Sequence, residues 1–240
     1  MILLALDFET TGTDVNNDRV IEVGAILWST AQNKCLESAG FLVKTDVPIS
    51  AEITKLTGVH PGAVSKFGFE SKDAIDNVMA MAEEAEAFIG QNVLRFDKKV
   101  LFAWATREQR AFPAQLWIDT MYDLPGADAK HLGYMAADHG FLNMFPHSAL
   151  ADCQTVLKLV SMYDIDKVVE RSKSPFVILQ AHQHRSENEL AKKAKFRWSP
   201  EQKMWWKAVK ELDMKQFGDG LTFDVSVLQD AKIAEELFNS

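Results

Sequence analysis

The chain has 240 residues, 47 % of them hydrophobic and 25 % charged, with a net charge of −8. That is the composition of an ordinary globular protein, long enough for one large domain or an ordinary domain plus a small one, and able to bury a core without staples. Two cysteines, Cys35 and Cys153, exclude a disulfide framework, and no apolar run approaches the roughly 18 residues of a membrane span, so a cytoplasmic protein with no membrane partner is expected.

The chain opens with Met1-Ile-Leu-Leu-Ala-Leu-Asp7-Phe-Glu9-Thr-Thr-Gly12. This start is too short for a signal peptide, lacks a basic region and meets Asp7 where the apolar stretch would continue. A short uncharged apolar run ending in a turn signal reads as a strand buried on both faces. Side chains alternate along a strand, so Asp7 and Glu9 share a face, about 7 Å apart by the rise per residue. Two carboxylates there are costly unless a cation sits between them, or unless they simply enter solvent where the strand ends.

Arg19 to Trp28 and Lys34 to Lys44 read as the second and third strands of an antiparallel meander. Pro48 and Ser50 supply a turn and an N-cap for a helix from Ala51 to Leu56, stopped by Gly58. Apolar residues from Asp73 to Ile89 follow helical spacing. A further helix begins at Phe96-Asp97 and is broken by Pro113; Gln115 to Asp119 is strand-like, and Lys130 to His139 helical. After Pro146 comes a helix whose stripe holds Ala149, Leu150, Cys153, Val156, Leu157 and Val160, with Asp152 on its border. The expected fold class is α/β, a mixed sheet with helices packed on it.

Asp7, Glu9, Asp97 and Asp152 can then be read together with His147. Five helical residues would turn His147 about 140° away from Asp152, so it belongs on the loop or cap before the helix. Four carboxylates and an imidazole suit two-metal hydrolysis of a phosphodiester, with the imidazole taking the proton of water. An all-oxygen donor set favours Mg²⁺ or Mn²⁺.

These residues resemble the DnaQ-like, or DEDDh, 3′–5′ exonucleases, a family with a ribonuclease-H-like fold. Asp7-Phe-Glu9-Thr-Thr-Gly12 is similar to its first motif, Asn92 to Phe96-Asp97 to its second and His147-Ser-Ala-Leu-Ala-Asp152 to its third. Ile53 to Val59 resembles the family's segment beside the terminal nucleotide, and Trp117-Ile-Asp-Thr120 a structural strand-to-helix step, so Asp119 is not counted as catalytic. The histidine five residues before the last acid places the chain in the family's histidine branch. The resemblance implies two divalent cations: Asp7, Glu9 and Asp152 hold the first, and Asp7 bridges to a second near Asp97. It makes His147 the general base, sets Thr10, Thr11, Gly12 and Leu56 against the 3′-terminal nucleotide, and has Phe96 support the site. Val93-Leu94-Arg95 makes three residues where the family has two, so the resemblance carries Asp97 but not Asn92.

The texture changes beyond Arg171-Ser-Lys-Ser-Pro175. Residues 1–168 are assigned to the catalytic domain, 169–175 to a Ser/Pro/basic linker and 176–240 to a small basic and aromatic α+β domain. From Arg171 to Lys210 there are ten basic residues against three acidic ones, so the acidic excess lies elsewhere in the chain. The small domain is expected to hold a strand at 176–179, a basic helix at 187–195, a hairpin at 196–207 and a last strand at 221–228. Ala194 to Trp206 resembles a C-terminal module of exodeoxyribonuclease-X-like proteins. Most of its tryptophans are expected in the core, while Lys192, Lys193, Lys195 and Arg197 are the candidates for nucleic-acid contact. His182 and His184 read as a polar strand face rather than a metal site.

The leading expectation is a metal-dependent exonuclease that removes nucleotides from DNA 3′ ends, preferring single strands. The alternatives are an exoribonuclease built on the same residues, and a proofreading or binding module partnered with a polymerase complex.

Overall fold

A computed structural model of the chain describes residues 1–112, 115–126, 131–214 and 221–239. It divides into two compact units, Met1–Ser172 and Lys173–Ser240. Among the described residues, no helix is long and apolar enough to cross a membrane.

The first unit is built on a five-stranded sheet of β1 (Ile2–Thr10), β2 (Val20–Ser29), β3 (Lys34–Leu42), β4 (Ala87–Gly90) and β5 (Leu116–Asp119). The order is β3-β2-β1-β4-β5; β1, β2 and β3 pair antiparallel, whereas β4 runs parallel to both β1 and β5. This is the mixed ribonuclease-H-like sheet flanked by helices. Strand β1 lies at its centre, and there its alternation sorts two cores. Leu4, Leu6 and Phe8 join Ala74, Ile75 and Val78 of α3 (Ser71–Glu83) and Val100, Leu101 and Trp104 of α4 (Asp97–Arg107). Leu3 and Ala5 join Cys153, Val156, Leu157 and Val160 of α7 (Ala149–Val160) on the other face. Asp7 and Glu9 continue the second set and so emerge on the α7 side.

The first unit also contains α1 (Ala51–Thr57), α2 (Pro61–Phe67), α5 (Thr120–Asp123), α6 (Leu132–Asp138) and α8 (Ile165–Lys173). Ser50 caps α1, its hydroxyl accepting from Ile53 N at 3.1 Å, and Gly58 closes the helix at φ 75°. The helix expected from Asp73 to Ile89 ends at Glu83, and its last residues form β4 instead. Ala87, Phe88 and Ile89 are fully buried between β1 and β5, and a short apolar run buried on both sides carries no periodicity to separate strand from helix. The expected linker likewise begins inside α8, because Ile165, Val168 and Val169 pack against the second core and keep the segment helical to Lys173. Helix α2, which begins with Pro61 at its first turn, was not expected. Pro113 and the expected helix start at Lys130 lie outside the described residues.

The second unit is an antiparallel sheet, ordered β7-β8-β6-β9, of β6 (Phe176–His182), β7 (Arg197–Ser199), β8 (Met204–Lys210) and β9 (Asp224–Val227). It carries α9 (Asn188–Lys193) and α10 (Ala231–Asn239). Neighbouring Trp205 and Trp206 point to opposite faces of β8. Trp205 packs with Leu179, Phe196 and Val209, and Trp206 with Ile178 and Leu237. Trp198 is 48 % exposed, so two of the three tryptophans of this unit lie in its cores. Lys210 is buried, its Nζ donating to Ser174 O at 3.2 Å and lying 4.1 Å from the Phe176 ring centroid. Lys207 Nζ donates to Ala194 O at 3.1 Å, so part of the basic surplus holds this unit together.

Candidate active site

The site forms where β1 outruns its parallel neighbour. Pairing between β1 and β4 covers Leu3 to Ala5 and stops there. Beyond it, Phe8 N finds its acceptor in Asp97 Oδ1 at 3.0 Å. Asp97 is thus the first residue of α4 and at the same time a cap on a buried stretch of strand that β4 leaves unpaired, which explains why a carboxylate sits there 3 % exposed. On the other side of β1, Glu9 stands opposite Glu22 of β2, a like-charge pair that repels across the ladder.

Helix α7 reaches this strand end because of Gly24. A Cβ built there would lie 2.3 Å from the carbonyl carbon and oxygen of Ala149. The helix's first turn therefore rests directly on the β2 backbone. That contact brings Asp152 down to the sheet, while Glu22 accepts from Ala149 N at 3.4 Å at the positive end of the helix.

His147 lies just before α7, as its spacing from Asp152 implied, with a left-handed backbone at φ 62°. Its N–H donates to Asp152 Oδ2 at 3.1 Å, and the Asn143 amide donates to Asp152 Oδ1. The loop is thereby strapped to the carboxylate at two points. One ligand atom each from Glu9, His147 and Asp152 lie within 4.8 Å of one another.

The electrostatics of this cluster are those of negative charge lacking a counter-ion. Burial pushes Asp7 well above the usual carboxylate range, and Asp97, Asp152, Glu9 and Glu22 push it further. Burial, followed by repulsion from Glu22 and then Asp152, raises Glu9 from 4.5 to about 8. Burial lifts Asp97 from 3.8 to about 7, even though the Phe8 N–H opposes the shift. Asp152 and Glu22 are raised too, first by burial. A divalent cation would relieve this repulsion, and the carboxylate oxygens form a donor set that fits such an ion, with the His147 imidazole beside them.

Asp119 is fully buried and accepts from Asn92 N at 2.8 Å, Met121 N at 3.0 Å and Leu94 N at 3.2 Å. It fastens the loop that leads to Asp97. The side chains expected near the substrate are placed unequally. Thr10 Oγ1 donates to Gly12 O at 2.5 Å and Thr11 Oγ1 to Asp18 Oδ1 at 2.8 Å, so both hydroxyls are used within the turn that also holds Gly12. Leu56 is 51 % exposed on α1, whereas Phe96 precedes α4 and packs against the first core. In the second unit Lys192, Lys193, Lys195 and Arg197 are all exposed, with Lys192 Nζ 2.7 Å from Glu189.

Two participants escaped sequence reasoning. Glu22 could have been found, since alternation along the second strand sets it on the face of Gly24 and Ile26. Asn143 lies in a loop with no periodicity and carried no signal.

A family model described as Exonuclease (RNase T) matches residues 4–160, and the chain belongs to that exonuclease family. No curated protein sequence matches it. Its fold is similar to that of E. coli exonuclease I in complex with a dA16 oligonucleotide, at TM-score 0.55 and 17 % identity over 75 % of this chain and 48 % of that one. It is similar as well to the nuclease domain of 3′hExo, described as a DEDDh family member bound to rAMP, at TM-score 0.56 and 17 % identity over 67 % of this chain and 90 % of that one. A 3′-exonuclease that recognises the histone mRNA stem-loop matches at TM-score 0.54 and 18 % identity, over 67 % and 80 % of the two chains. The chain spans about half the length of the exonuclease I structures it matches.

Proposed function

We propose that this protein is a metal-dependent 3′–5′ exodeoxyribonuclease, of the exodeoxyribonuclease-X-like kind, that removes nucleoside monophosphates from single-stranded DNA ends. The observation that carries the reading is the grouping of Glu9, His147 and Asp152 within 4.8 Å, beside Asp7 and Asp97, at the end of one strand. Asp7, Glu9 and Asp152 would hold one divalent cation, and Asp7 and Asp97 a second, Mg²⁺ or Mn²⁺. Such ions supply an activated water and charge stabilisation at the leaving oxygen. The chain's own residues do the rest. His147, exposed beside the acids, accepts the water's proton at an imidazole nitrogen. Asn143 and the His147 N–H hold the Asp152 carboxylate in a fixed orientation. Thr10, Thr11, Gly12, Leu56 and Phe96 border the terminal nucleotide, and Lys192, Lys193, Lys195 and Arg197 of the second unit contact the strand's phosphates.

An RNA substrate is the second reading, favoured by the fold shared with a 3′-exonuclease of histone mRNA. The deciding experiment offers 5′-labelled DNA and RNA of identical sequence with Mg²⁺, alongside EDTA and His147→Ala controls. The proposal expects a shortening ladder on DNA that both controls abolish. A ladder on RNA alone transfers the same residues to the second reading, and cleavage that survives EDTA overturns both.

A further inference from the structure

Three of the four residues from Leu142 to Phe145 are large, apolar and strongly exposed: Leu142 at 71 %, Met144 at 72 % and Phe145 at 69 %. Exposed apolar patches mark surfaces that something covers. The fourth residue, Asn143, connects this patch to the chemistry. Its amide donates to Asp152 Oδ1, and its own Oδ1 accepts from Phe145 N at 3.2 Å. Ser148 N donates to Phe145 O at 3.3 Å, and His147 N to the other Asp152 oxygen at 3.1 Å. The apolar residues thus ride on a bracket whose two ends grip a candidate metal ligand, with Phe145 two positions from the imidazole.

We propose that Met144 and Phe145 form a clamp for the unpaired base at the 3′ end of the strand, and that Asn143 is the positioning residue that ties this clamp to Asp152. The inference rests on the exonuclease reading above. A base hangs one sugar away from the phosphate being cut, so whatever grips it must sit beside the acids, as this bracket does. Every base offers an apolar π-face to a ring or a thioether, and stacking of that kind holds an end without reading its sequence. The clamp is therefore indifferent to which of the four bases is terminal.

The test uses the full chain, a Met144→Ser/Phe145→Ser double variant, and Asn143→Ala. Two 5′-labelled single strands are compared, one with a natural 3′-terminal base and one ending in an abasic residue. The wild type should cut the natural end faster by about tenfold in kcat/KM, the scale of one stacked base. In the double variant this ratio should fall to near one, with the abasic rate unchanged, and Asn143→Ala should lower the ratio too. A double variant that keeps the wild-type ratio overturns the clamp. Fluorescence anisotropy of the same strands in EDTA reads the preference without cleavage, so a wild type that binds but cuts neither strand sinks the exonuclease reading while the clamp is still tested. Size-exclusion chromatography covers the remaining occupant: a wild-type dimer that the double variant turns into a monomer would assign the patch to a second copy of the chain.

Discussion

The acids at the end of β1 are held in a state that a metal-free protein should find uncomfortable. Glu9 moves from 4.5 to about 8 and Asp97 from 3.8 to about 7. A carboxyl with a raised folded pKa binds its proton more tightly in the folded chain than in the unfolded one, so folding is favoured by acid across that window. In EDTA, the melting temperature should fall as pH rises from about 5 to 8, and Mg²⁺ should restore it most at the alkaline end; a flat or rising profile in EDTA would contradict the uncompensated cluster. Asp119 makes a different prediction. It is buried and accepts three backbone N–H groups, so Asp119→Ala should lose about 3 kcal/mol in urea denaturation, because it leaves three partly buried donors without their acceptor. The five catalytic candidates were legible as residues, since acids on a buried strand and at helix starts stand out against their surroundings. Asn143 was not, for it gains its role from contacts within a loop that spacing along the chain does not show; alternation sets Glu22 on the face of Gly24, but its role shows only once β2 pairs with β1.

At the level of elements, the site depends on one backbone contact, between α7 and β2 at Gly24. Gly24→Ala forces a methyl group to within 2.3 Å of Ala149 backbone atoms, so the first turn of α7 must shift and carry Asp152 with it. The expected result is a lower melting temperature together with at least a tenfold loss of divalent-ion affinity by calorimetry, comparable with the loss of a partner that orients a metal ligand. Unchanged affinity would mean that α7 does not set the position of Asp152. The elements themselves were mostly readable where amphipathic spacing or a capping signal existed, as for α1 with Ser50 and Gly58, or α7 with its long apolar stripe. They were misread where burial on both sides erased the pattern, which turned β4 into a helix extension. The expected linker was misread for the opposite reason, because the polar residues 170–173 follow apolar positions that hold α8 to the core.

The whole molecule consists of two compact units with separate cores. The unit 173–240 carries exposed Lys192, Lys193, Lys195 and Arg197 and the half-exposed Trp198, while Lys207 and Lys210 are consumed internally. Replacing Lys193 and Arg197 with alanine should therefore weaken binding of single-stranded DNA and flatten its salt dependence, since each phosphate contact contributes about one unit of slope. An unaltered slope in anisotropy titrations would remove this unit from substrate binding. The change in composition from Arg171 onward was visible in the sequence as a change of charge. Which of the basic residues face solvent was not, because only packing decides that.

On the proposed reading, the acids at the end of β1, with His147, form a nuclease centre that works from the 3′ end. The most direct measurement compares one single-stranded DNA labelled at either end, in Mg²⁺, with the wild type and Asp152→Asn. The wild type should release a labelled mononucleotide at once from the 3′-labelled strand and give a descending ladder from the 5′-labelled strand, and Asp152→Asn should do neither. Internal cuts, release from the 5′ end, or undiminished activity in the variant would contradict this reading.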